Sequence, residues 1–365
     1  MTGPSGGRDK IRVVPSSRRR TMLSLITGFV LVLTWYLAGC ATVSRSHRTP
    51  ITPVAGAATP TIGPDAYERS GRTPQLRLTL PPATSPRPFP LVVALHSLAN
   101  DGREPQAKWG IDALAASAGV AVAYPDGLDK SWDAGTCCGQ AAAEHVDDVG
   151  WLRALISHLE QHYPIDRHRV ILVGFSNGGM LAYRYACEHP SEIAGIAVVA
   201  ASRQITGCTP AAPIGVVAVH GQLDERVPYE GTAWSDVLGA SLTSVEDSLK
   251  PFRARAGCPS SPQPDDSVRT DADGVPTEDA AGGQATPTPT PTPTAPATAA
   301  SPAGGHYSAT RKETSCSSDQ RVVEFLLPGV AHGWPPSSGP AQFNTAEVLW
   351  RLLAPMRSHR AGPNL

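Results

Sequence analysis

The chain has 365 residues and a formal net charge of −1, with charged residues at only 17%. This balance provides no basic surface for a nucleic acid, so a nucleic-acid partner is not expected. Without the segments that are too polar or too rich in proline to fold, roughly 230 residues remain, enough for one large domain with a substantial core.

Residues 1–40 have the pattern of an export signal. Basic residues at 18–20 precede the apolar run Met22–Leu37, and small residues follow it before Cys40. The four residues that end at Cys40 resemble the bacterial lipobox, which implies cleavage before Cys40 and a lipid on its thiol. The membrane would then be a partner, with the protein anchored on the outer face of the cytoplasmic membrane or extracellular. An uncleaved membrane helix is the alternative, because Thr21–Gly39 is nearly long enough to span a bilayer.

The rest of the chain divides by composition. Residues 41–72 are rich in Thr, Pro, Ala and Gly without periodicity, which predicts a disordered tether. A folded domain is expected over 73–358, followed by a tail at 359–365. Residues 259–310 interrupt the domain with a Pro, Thr, Ala, Gly and Asp-rich stretch, including alternating Thr and Pro at 286–294. This composition predicts a disordered or extended insertion without catalytic residues.

Apolar runs of strand length alternate with segments of helical periodicity along the domain. The alternation predicts the α/β class, with a mostly parallel sheet and helices on both faces. The predicted strands are Leu76–Leu80, Pro90–His96, Val120–Tyr124, Arg169–Phe175, Ile193–Ala200, Ile214–His220 and Arg321–Leu327. The predicted helices are Ile111–Gly119, Asp148–Tyr163, Asn177–Glu188, Leu242–Arg255 and Thr345–Met356.

One strand-to-helix turn carries a serine in a G-x-S-x-G pattern. The run Val170–Ala182 is β-branched up to Gly174-Phe175-Ser176-Asn177-Gly178 and then continues as a helix. This pattern is typical of a nucleophile elbow, in which the glycines leave room for a sharp turn and the serine hydroxyl stands clear at the edge of the sheet. The N–H of Asn177, the first of the helix, would stabilise an oxyanion there. A plain strand-to-helix turn is the alternative.

A serine nucleophile needs a histidine base that a carboxylate holds in place. The elbow fold supplies these groups in the chain order Ser, acid, His. Asp224 follows the strand Ile214–His220, and His332 follows the strand Arg321–Leu327, both in loops at C-terminal strand ends. The sequence therefore predicts Ser176, Asp224 and His332 as the catalytic residues.

Other acidic residues and histidines fit these roles less well. Asp126, Asp147 and Asp148 precede the serine and lie near helix starts, where acidic residues are more often caps. His96 and His220 end strands and are predicted to be structural. The other histidines that follow the serine lie at a helix end, in the insertion or in the tail.

Seven cysteines are present, and with Cys40 assigned to the lipobox an even six remain, which in an exported chain predicts disulfides. The expected pairs are Cys187 with Cys208 and Cys258 with Cys316. Cys137 and Cys138 would form a vicinal pair or stay as free thiols. Metal binding is their alternative role, but no His or Cys lies at finger-like spacing, so no metal site is expected.

The loop after the strand that ends at His96 should supply a second oxyanion donor, from the N–H of Ser97 or Leu98. Two tryptophans, Trp132 and Trp334, lie close to the chemical motifs and would line the acyl or alcohol pocket. Packing in the core or at the surface is their alternative role.

Five motifs of the domain form a recognisable set. They are G-F-S-N-G-G-M-L-A from Gly174, W-D-A-G-T-C-C-G from Trp132, V-D-D-V-G from Val146, H-G-x-x-D from His220 and G-x-x-H-G-W-P from Gly329. Together they resemble the polyhydroxybutyrate depolymerase and feruloyl esterase group of α/β-hydrolases over about residues 75–335. The resemblance implies a hydrolase that cleaves carboxylic esters through an acyl-enzyme without a cofactor. It also implies the triad named above, with the N–H groups of Leu98 and Asn177 as oxyanion donors.

The chain departs from this group at Ser97, where glycine is usual, and in the long insertion. The interpretation that follows is an envelope-anchored serine esterase acting on a small or oligomeric ester of phenolic, feruloyl or short hydroxyalkanoate type. Two other classes stay open. A surface acyltransferase on the same fold would pass the acyl group to a sugar or lipid, and a non-catalytic binding lipoprotein would keep the fold without chemistry.

Overall fold

The computed structural model describes residues 76–259, 267–271, 273, 309–314, 316–336 and 342–362. The predicted export signal with Cys40, the tether and most of the insertion lie outside the described residues. Within the described ranges, no helix is long and apolar enough to cross a membrane.

Strands and helices alternate along the described chain, as the periodicity predicts. The strands are β1 (Leu76–Thr79), β2 (Phe89–Leu95), β3 (Ala121–Pro125), β4 (Ile165–Phe175), β5 (Gly195–Val199), β6 (Gly215–Gly221), β7 (Thr232–Ser235), β8 (Ala240–Leu242), β9 (Ser267–Thr270), β10 (Ala309–Glu313) and β11 (Val322–Leu327). The α-helices are α1 (Arg103–Lys108), α2 (Asp112–Ala118), α3 (Gly139–Ala143), α4 (Asp148–His162), α5 (Asn177–Glu188), α6 (Val245–Ala256) and α7 (Thr345–Leu353).

Nine of the described strands form one sheet, in the order β1-β3-β2-β4-β5-β6-β11-β10-β9. The six strands from β3 to β11 in this order run parallel, whereas β1 pairs antiparallel with β3 at one edge, and at the other edge β10 pairs antiparallel with β11 and β9 with β10. The hairpin of β7 and β8 stands apart from this sheet. The predicted α/β class with a mostly parallel sheet is therefore confirmed.

The central strands bury both of their faces, so successive side chains enter two different apolar cores. Leu91, Val93 and Leu95 of β2 pack into one core together with residues of α4, α5 and α6. Val92 and Ala94 pack into the other core together with residues of α2 and α7. Because helices cover both faces, these strands read in the sequence as continuous apolar runs rather than as alternating ones.

The predicted insertion is not wholly without regular structure. Ser267–Thr270 and Ala309–Lys312 pair antiparallel, and β10 in turn pairs with β11 at the edge of the main sheet. The prediction of a disordered or extended insertion over 259–310 therefore missed the strand pairing of β9 and of the first two residues of β10. Their sequences, S-V-R-T and A-T-R-K-E, are short and mostly polar, so they show no apolar alternation, and they are ordered by pairing along an existing strand.

The six cysteines of the described chain form three disulfides. The bonded pairs are Cys137–Cys138, Cys187–Cys208 and Cys258–Cys316. The last two are the pairs expected from the sequence, and the first is the vicinal pair that was one of its two alternatives. The bond between Cys258 and Cys316 joins the end of α6 to the turn before β11 across a sequence separation of 58. Closing a loop of this length stabilises the folded chain by about 4 kcal/mol through the entropy of the unfolded state.

A buried ion cluster joins α6 to β10 and β11. The guanidinium of Arg253, which is fully buried, lies 2.5 Å from Glu246 and 3.4 Å from Glu324. The ammonium of Lys312 lies 3.2 Å from Glu246 and 3.4 Å from Glu324, and the Tyr229 hydroxyl donates to Glu324 at 2.6 Å. Burial raises the pKa of the Glu324 carboxyl. Removing one of its partners would therefore leave a buried acid poorly compensated.

Two deletions can separate β9 from the rest of the insertion. Joining Pro262 to Gly304 removes β9 and leaves β10 without its outer partner, so we expect the Tm to fall by about 3–8 °C. Joining Val275 to Gly304 keeps β9, and it should change the Tm by less than about 2 °C, because Pro and Thr repeats have no apolar face to bury. Thermal unfolding of the two deletion variants beside the full chain makes the comparison. Equal melting temperatures for the two variants would show that β9 contributes nothing to the stability of the sheet.

Candidate active site

The chain reverses direction at Ser176, since β4 ends directly before this residue and α5 begins directly after it. Its backbone has φ 53° and ψ −121°, a conformation that is strained for any residue with a side chain. A Cβ atom on Gly174 would lie 2.3 Å from the carbonyl oxygen of Gly178, and one on Gly178 would lie 2.1 Å from the carbonyl oxygen of Leu95. The turn therefore requires glycine at both positions, as the elbow pattern predicts.

The side chains of Ser176, His332 and Asp224 form one hydrogen-bonded row. The Nε2 atom of His332 lies 3.1 Å from Ser176 Oγ, and its Nδ1 atom lies 2.8 and 3.0 Å from the two Asp224 carboxylate oxygens. A carboxylate only accepts, so Nδ1–H donates to Asp224, and Nε2 is left free to accept the serine hydroxyl. Ser176 is only 5% exposed, so its hydroxyl is less open than the sequence suggested. The structure brings together all three residues that the sequence predicted.

The Asp224 carboxylate is buried and held from its own loop. The backbone N–H groups of Arg226 and Val227 donate to its Oδ1 atom at 3.0 and 2.8 Å. His220 Nε2–H donates to the Val227 carbonyl at 2.7 Å and lies 3.5 Å from Asp224 Oδ2. Burial lowers the pKa of His220, which favours its neutral form. His220 thus supports the acid loop, in agreement with the structural role expected for it.

The three residues meet because their strands run parallel. Ser176 follows β4, Asp224 follows β6 and His332 follows β11, and β6 and β11 are direct neighbours in the sheet. The carboxyl ends of parallel strands lie at one edge of the sheet, where the loops that leave them form sites.

The loop after β2 leaves the amide of Leu98 unused, unlike those of the residues on either side of it. The Ser97 N–H donates to Glu104 Oε2 at 2.8 Å, and the Ala99 N–H donates to the Lys130 carbonyl at 2.8 Å. The Leu98 N–H donates to no group in the described part of the chain. Of the two donors considered from the sequence, only Leu98 is therefore available to a bound oxyanion.

Asn177 starts α5, so its N–H has no acceptor within the helix. Its side chain is held by the backbone of Trp132: Oδ1 accepts the Trp132 N–H at 2.7 Å and Nδ2 donates to the Trp132 carbonyl at 3.0 Å. These two bonds fix the helix start beside Ser176. The two predicted oxyanion donors thus lie in structurally fixed segments.

Trp132 does not line an open pocket, contrary to the sequence-based prediction. Its side chain is fully buried, and the indole N–H donates to the His96 carbonyl at 3.0 Å. Its ring centroid lies 4.8 Å from that of His96 and 6.3 Å from that of Trp151. The core-packing alternative applies, because a buried carbonyl satisfies the indole N–H. Trp132 contributes to the site through its backbone bonds to Asn177.

Trp334 is half-buried and belongs to a chain of aromatic rings beside the site. It stacks on Trp109 with centroids 4.3 Å apart and planes 3° apart, and Trp109 meets Phe175 edge-on at 6.3 Å. The Phe175 ring in turn lies 5.1 Å from the His332 ring. Trp334, Trp109 and Phe343 line a cavity of about 410 Å³ next to α2 and the start of α7. Ser176 itself does not line this cavity.

Within the described ranges, no group of three or more His, Cys, Asp or Glu side chains is arranged to hold a metal ion. Cys137 and Cys138 are bonded to each other, so neither offers a thiolate ligand.

Two contributors to the site carry no signal in the sequence. Glu104 lies in the first turn of a short helix, where an acidic residue is ordinary. The Asn177 side chain bonds to a backbone 45 residues earlier in the chain. Both contacts depend on the fold, so no motif or spacing could have indicated them.

Known proteins resemble this chain in sequence. Residues 140–260 match a family model described as phospholipase/carboxylesterase. The protein NocK of Nocardia uniformis subsp. tsuyamanensis, named as an esterase, is 30% identical over 285 residues, which cover 74% of this chain and 73% of NocK. Feruloyl esterase C of Emericella nidulans is 28% identical over 192 residues, which cover 49% of this chain and 67% of that enzyme.

Among solved structures, an acetyl xylan esterase from Aspergillus awamori aligns with 75% of this chain and 93% of its own, at 13% identity and a TM-score of 0.47. The similarity to NocK extends over most of both chains, and the family match and the other sequence relative agree with it. These findings confirm the resemblance stated from the motifs, and the chain belongs to the carboxylesterases of the α/β-hydrolase fold.

Proposed function

We propose that the protein is an exported, lipid-anchored serine esterase that hydrolyses small or oligomeric carboxylic esters with Ser176, His332 and Asp224. The observation that carries the proposal is the hydrogen-bonded row of these side chains, with 3.1 Å between Ser176 Oγ and His332 Nε2 and 2.8 Å between His332 Nδ1 and Asp224. A nucleophile within reach of a base, which is itself oriented by a carboxylate, is the arrangement that acyl transfer to serine needs.

In the first half of the reaction, Ser176 Oγ attacks the ester carbonyl carbon while its proton passes to His332 Nε2. The carbonyl oxygen becomes an oxyanion, which the N–H groups of Leu98 and Asn177 stabilise. Asp224 stabilises the imidazolium and keeps its orientation. The intermediate collapses when His332 returns the proton to the departing alkoxide, leaving the acyl group on Ser176.

In the second half, water takes the place of the alcohol. His332 removes a proton from the water as it attacks the acyl-enzyme, and the same two N–H groups stabilise the second oxyanion. Collapse of this intermediate returns the proton to Ser176 Oγ and releases the carboxylic acid. No step requires a group that the chain does not supply.

The disulfides support an exported location. Three pairs of cysteines are bonded in the described domain, and such bonds persist in oxidising compartments outside the cytoplasm. The apolar run and lipobox-like sequence before Cys40 fit the same route. Lipidation of Cys40 would then tether the domain to the envelope through residues 41–72.

For the substrate we propose a phenolic or feruloyl ester, or a short hydroxyalkanoate ester. The cavity beside Trp334 offers aromatic walls, with Trp109 and Phe343, on the side of the Phe175 and His332 rings. An aromatic ring of the substrate that entered this cavity would bind more tightly, because it would stack on these side chains and lose contact with water. Aromatic contacts of this kind contribute about 0.5–1.5 kcal/mol beyond the buried area, a preference of roughly 2-fold to 12-fold per contact.

Removal of the nucleophile or of the acid tests the proposed mechanism. Ser176→Ala and Asp224→Asn should each lower kcat for p-nitrophenyl acetate by about 10⁴-fold, the first by removing the attacking atom and the second by stabilising the wrong imidazole tautomer. The matched control is Glu225→Gln, which neutralises an exposed acid next to Asp224 and should stay within about twofold of wild type. Retention of more than about a tenth of the wild-type kcat by Ser176→Ala would exclude it as the nucleophile.

The anchoring part of the proposal depends on one thiol. Cys40→Ser should shift the protein from the detergent phase to the aqueous phase in a detergent partition, because no acyl chain can then be attached. Esterase activity per folded molecule should be unchanged, since the domain begins more than 30 residues later. Partition of the wild-type protein into the aqueous phase, with Cys40 present as a free N-terminal or internal residue in its mass spectrum, would contradict lipidation.

The proposed substrate preference can be tested by comparing the kcat/KM values for two esters in wild type and in two tryptophan variants. Wild type should favour methyl ferulate over a hydroxybutyrate oligomer by roughly 2-fold to 12-fold in kcat/KM, and Trp334→Ala should lose this preference. Trp234→Ala is the matched control, because Trp234 is 60% exposed and lies on the hairpin of β7 and β8. A general loss of packing would lower both rates together and leave the ratio unchanged. An unchanged ratio in Trp334→Ala would therefore remove Trp334 from substrate selection.

A further inference from the structure

The loop that follows β2 holds a carboxylate contact that the ester reaction does not use directly. Both carboxylate oxygens of Glu104 are directed at one residue, Ser97: Oε2 accepts the Ser97 N–H at 2.8 Å, and the Ser97 hydroxyl lies 2.9 Å from each oxygen. Asn100 Nδ2 donates to Ser97 Oγ at 2.9 Å, so the hydroxyl is left to donate its own proton to Glu104. Ser97 is 6% exposed, so these bonds satisfy polar groups that water does not reach.

The carbonyl of Ser97 is held from the other side. His96 Nε2 accepts the N–H of Gly127 at 2.8 Å, so the proton of the neutral ring is on Nδ1, which donates to the Ser97 carbonyl at 2.8 Å. Burial lowers the pKa of His96, which favours this neutral form. The N–H of Asn100 donates to the same carbonyl at 3.2 Å. All the polar groups of Ser97 therefore have partners.

These contacts fix the direction of the Leu98 amide. The Ser97 carbonyl and the Leu98 N–H belong to one planar trans peptide, in which they point in opposite directions. When His96 holds the carbonyl and Glu104 holds the N–H and hydroxyl of Ser97, rotation of this peptide is blocked. The Leu98 N–H is left without an acceptor in the described chain.

Glu104 does not have the usual roles of an acidic residue at this place. Its carboxylate does not cap α1, whose first N–H, that of Arg103, donates to Asp101 at 2.9 Å. Among the described residues, no Lys or Arg lies within ion-pair distance of Glu104, whereas the nearby Arg103 pairs with Asp101 and Arg77 pairs with Asp126. The partners of the Glu104 carboxylate are therefore the two donors of Ser97.

We propose that Glu104 is a positioning residue for the oxyanion hole: by binding the N–H and the hydroxyl of Ser97, it turns the following peptide so that the Leu98 N–H is the donor offered to the substrate oxyanion. This inference rests on the proposed serine esterase function. Ser97, the residue that departs from the glycine usual in the resembling group, is the means by which the carboxylate acts. A glycine at this position could offer Glu104 only its N–H, whereas Ser97 offers both its N–H and its hydroxyl.

The test compares Glu104→Ala with Gln106→Ala, a truncation of a neighbouring side chain on α1, in the full chain. Removing one oxyanion donor outright costs about 10²–10³ in kcat, so a misdirected donor in Glu104→Ala should cost about 10-fold to 100-fold. KM for p-nitrophenyl acetate should change by less than about threefold, because ground-state binding does not depend on the donor. Gln106→Ala should stay within about twofold of wild type. Rates are expressed per active site titrated with a fluorophosphonate, which removes any misfolded fraction from the comparison.

A second measurement reports on the oxyanion hole itself. A phenylboronic acid forms a tetrahedral adduct with the nucleophile and places an oxygen in the hole, so its Ki should rise in Glu104→Ala by about the factor by which kcat/KM falls. Glu104→Gln keeps one acceptor for the Ser97 N–H and should recover kcat to within about fivefold of wild type. If Glu104→Ala does not fold, the kcat and the boronate Ki of Glu104→Gln are compared with those of wild type instead.

The outcomes separate this inference from the function on which it rests. A kcat per titrated site within about threefold of wild type in Glu104→Ala, an unchanged boronate Ki, or equal losses in the alanine and glutamine variants would each overturn the role of Glu104. If Ser176→Ala abolishes turnover at the same time, the esterase mechanism still stands. Activity that survives in Ser176→Ala would instead overturn the mechanism, and the inference with it.

Discussion

The site depends on how little space there is where β4 turns into α5. Gly174 and Gly178 approach each other and the carbonyl of Leu95 so closely that a methyl group at either glycine would overlap backbone atoms. This contact holds the Ser176 backbone at a positive φ, and the surrounding sheet must supply the stability to keep it there. It also brings the start of α5 against the end of β2. Ser176 and the loop that carries the Leu98 amide are therefore placed by one contact.

The positions of Asp224 and His332 depend on a second constraint, the parallel alignment of β6 and β11. In their register Leu327 is opposite Gly221, so the loops that carry Asp224 and His332 leave the sheet at the same level. Burial of Asp224, whose side chain is 0% exposed, strengthens its interaction with the imidazole because little water screens it. The N–H groups of Arg226 and Val227 stabilise this buried carboxylate.

Much of this arrangement can be derived from the sequence, because central parallel strands and their loop residues carry local signals. Val170–Phe175 is a continuous apolar run, which indicates a strand buried on both faces. The elbow pattern and the chain order Ser, acid, His then indicate the three residues of the site. Features that depend on neighbours carry no such signal. The predicted helix from Leu242 begins only at Val245, because Leu242 ends a strand of the β7–β8 hairpin. The short helices α1 and α3 were not predicted, since six and five residues are too few to show a periodicity.

The same reasoning explains the errors at the site. Trp132 lies in a motif near Ser176, but whether an indole faces a pocket or the core depends on which carbonyl its N–H reaches. The unpaired amide of Leu98 could be distinguished from that of Ser97 only when the partner of Ser97 was known. A sequence identifies groups that can react more readily than it identifies the contacts that orient them.

The buried ion cluster has a consequence for the alignment of the sheet. Lys312 and Glu324 are directly opposite each other on β10 and β11, and Glu324 points to the face where Arg253 of α6 lies. A slip of β11 by one residue would move Glu324 to the opposite face, where Val323 and Phe325 pack into an apolar core, and a buried charge without a partner is strongly unfavourable there. In the observed alignment, Glu324 lies within ion-pair distance of both Arg253 and Lys312. The pairing of Glu324 with Arg253 and Lys312 therefore favours one register of β11, the strand that precedes the His332 loop.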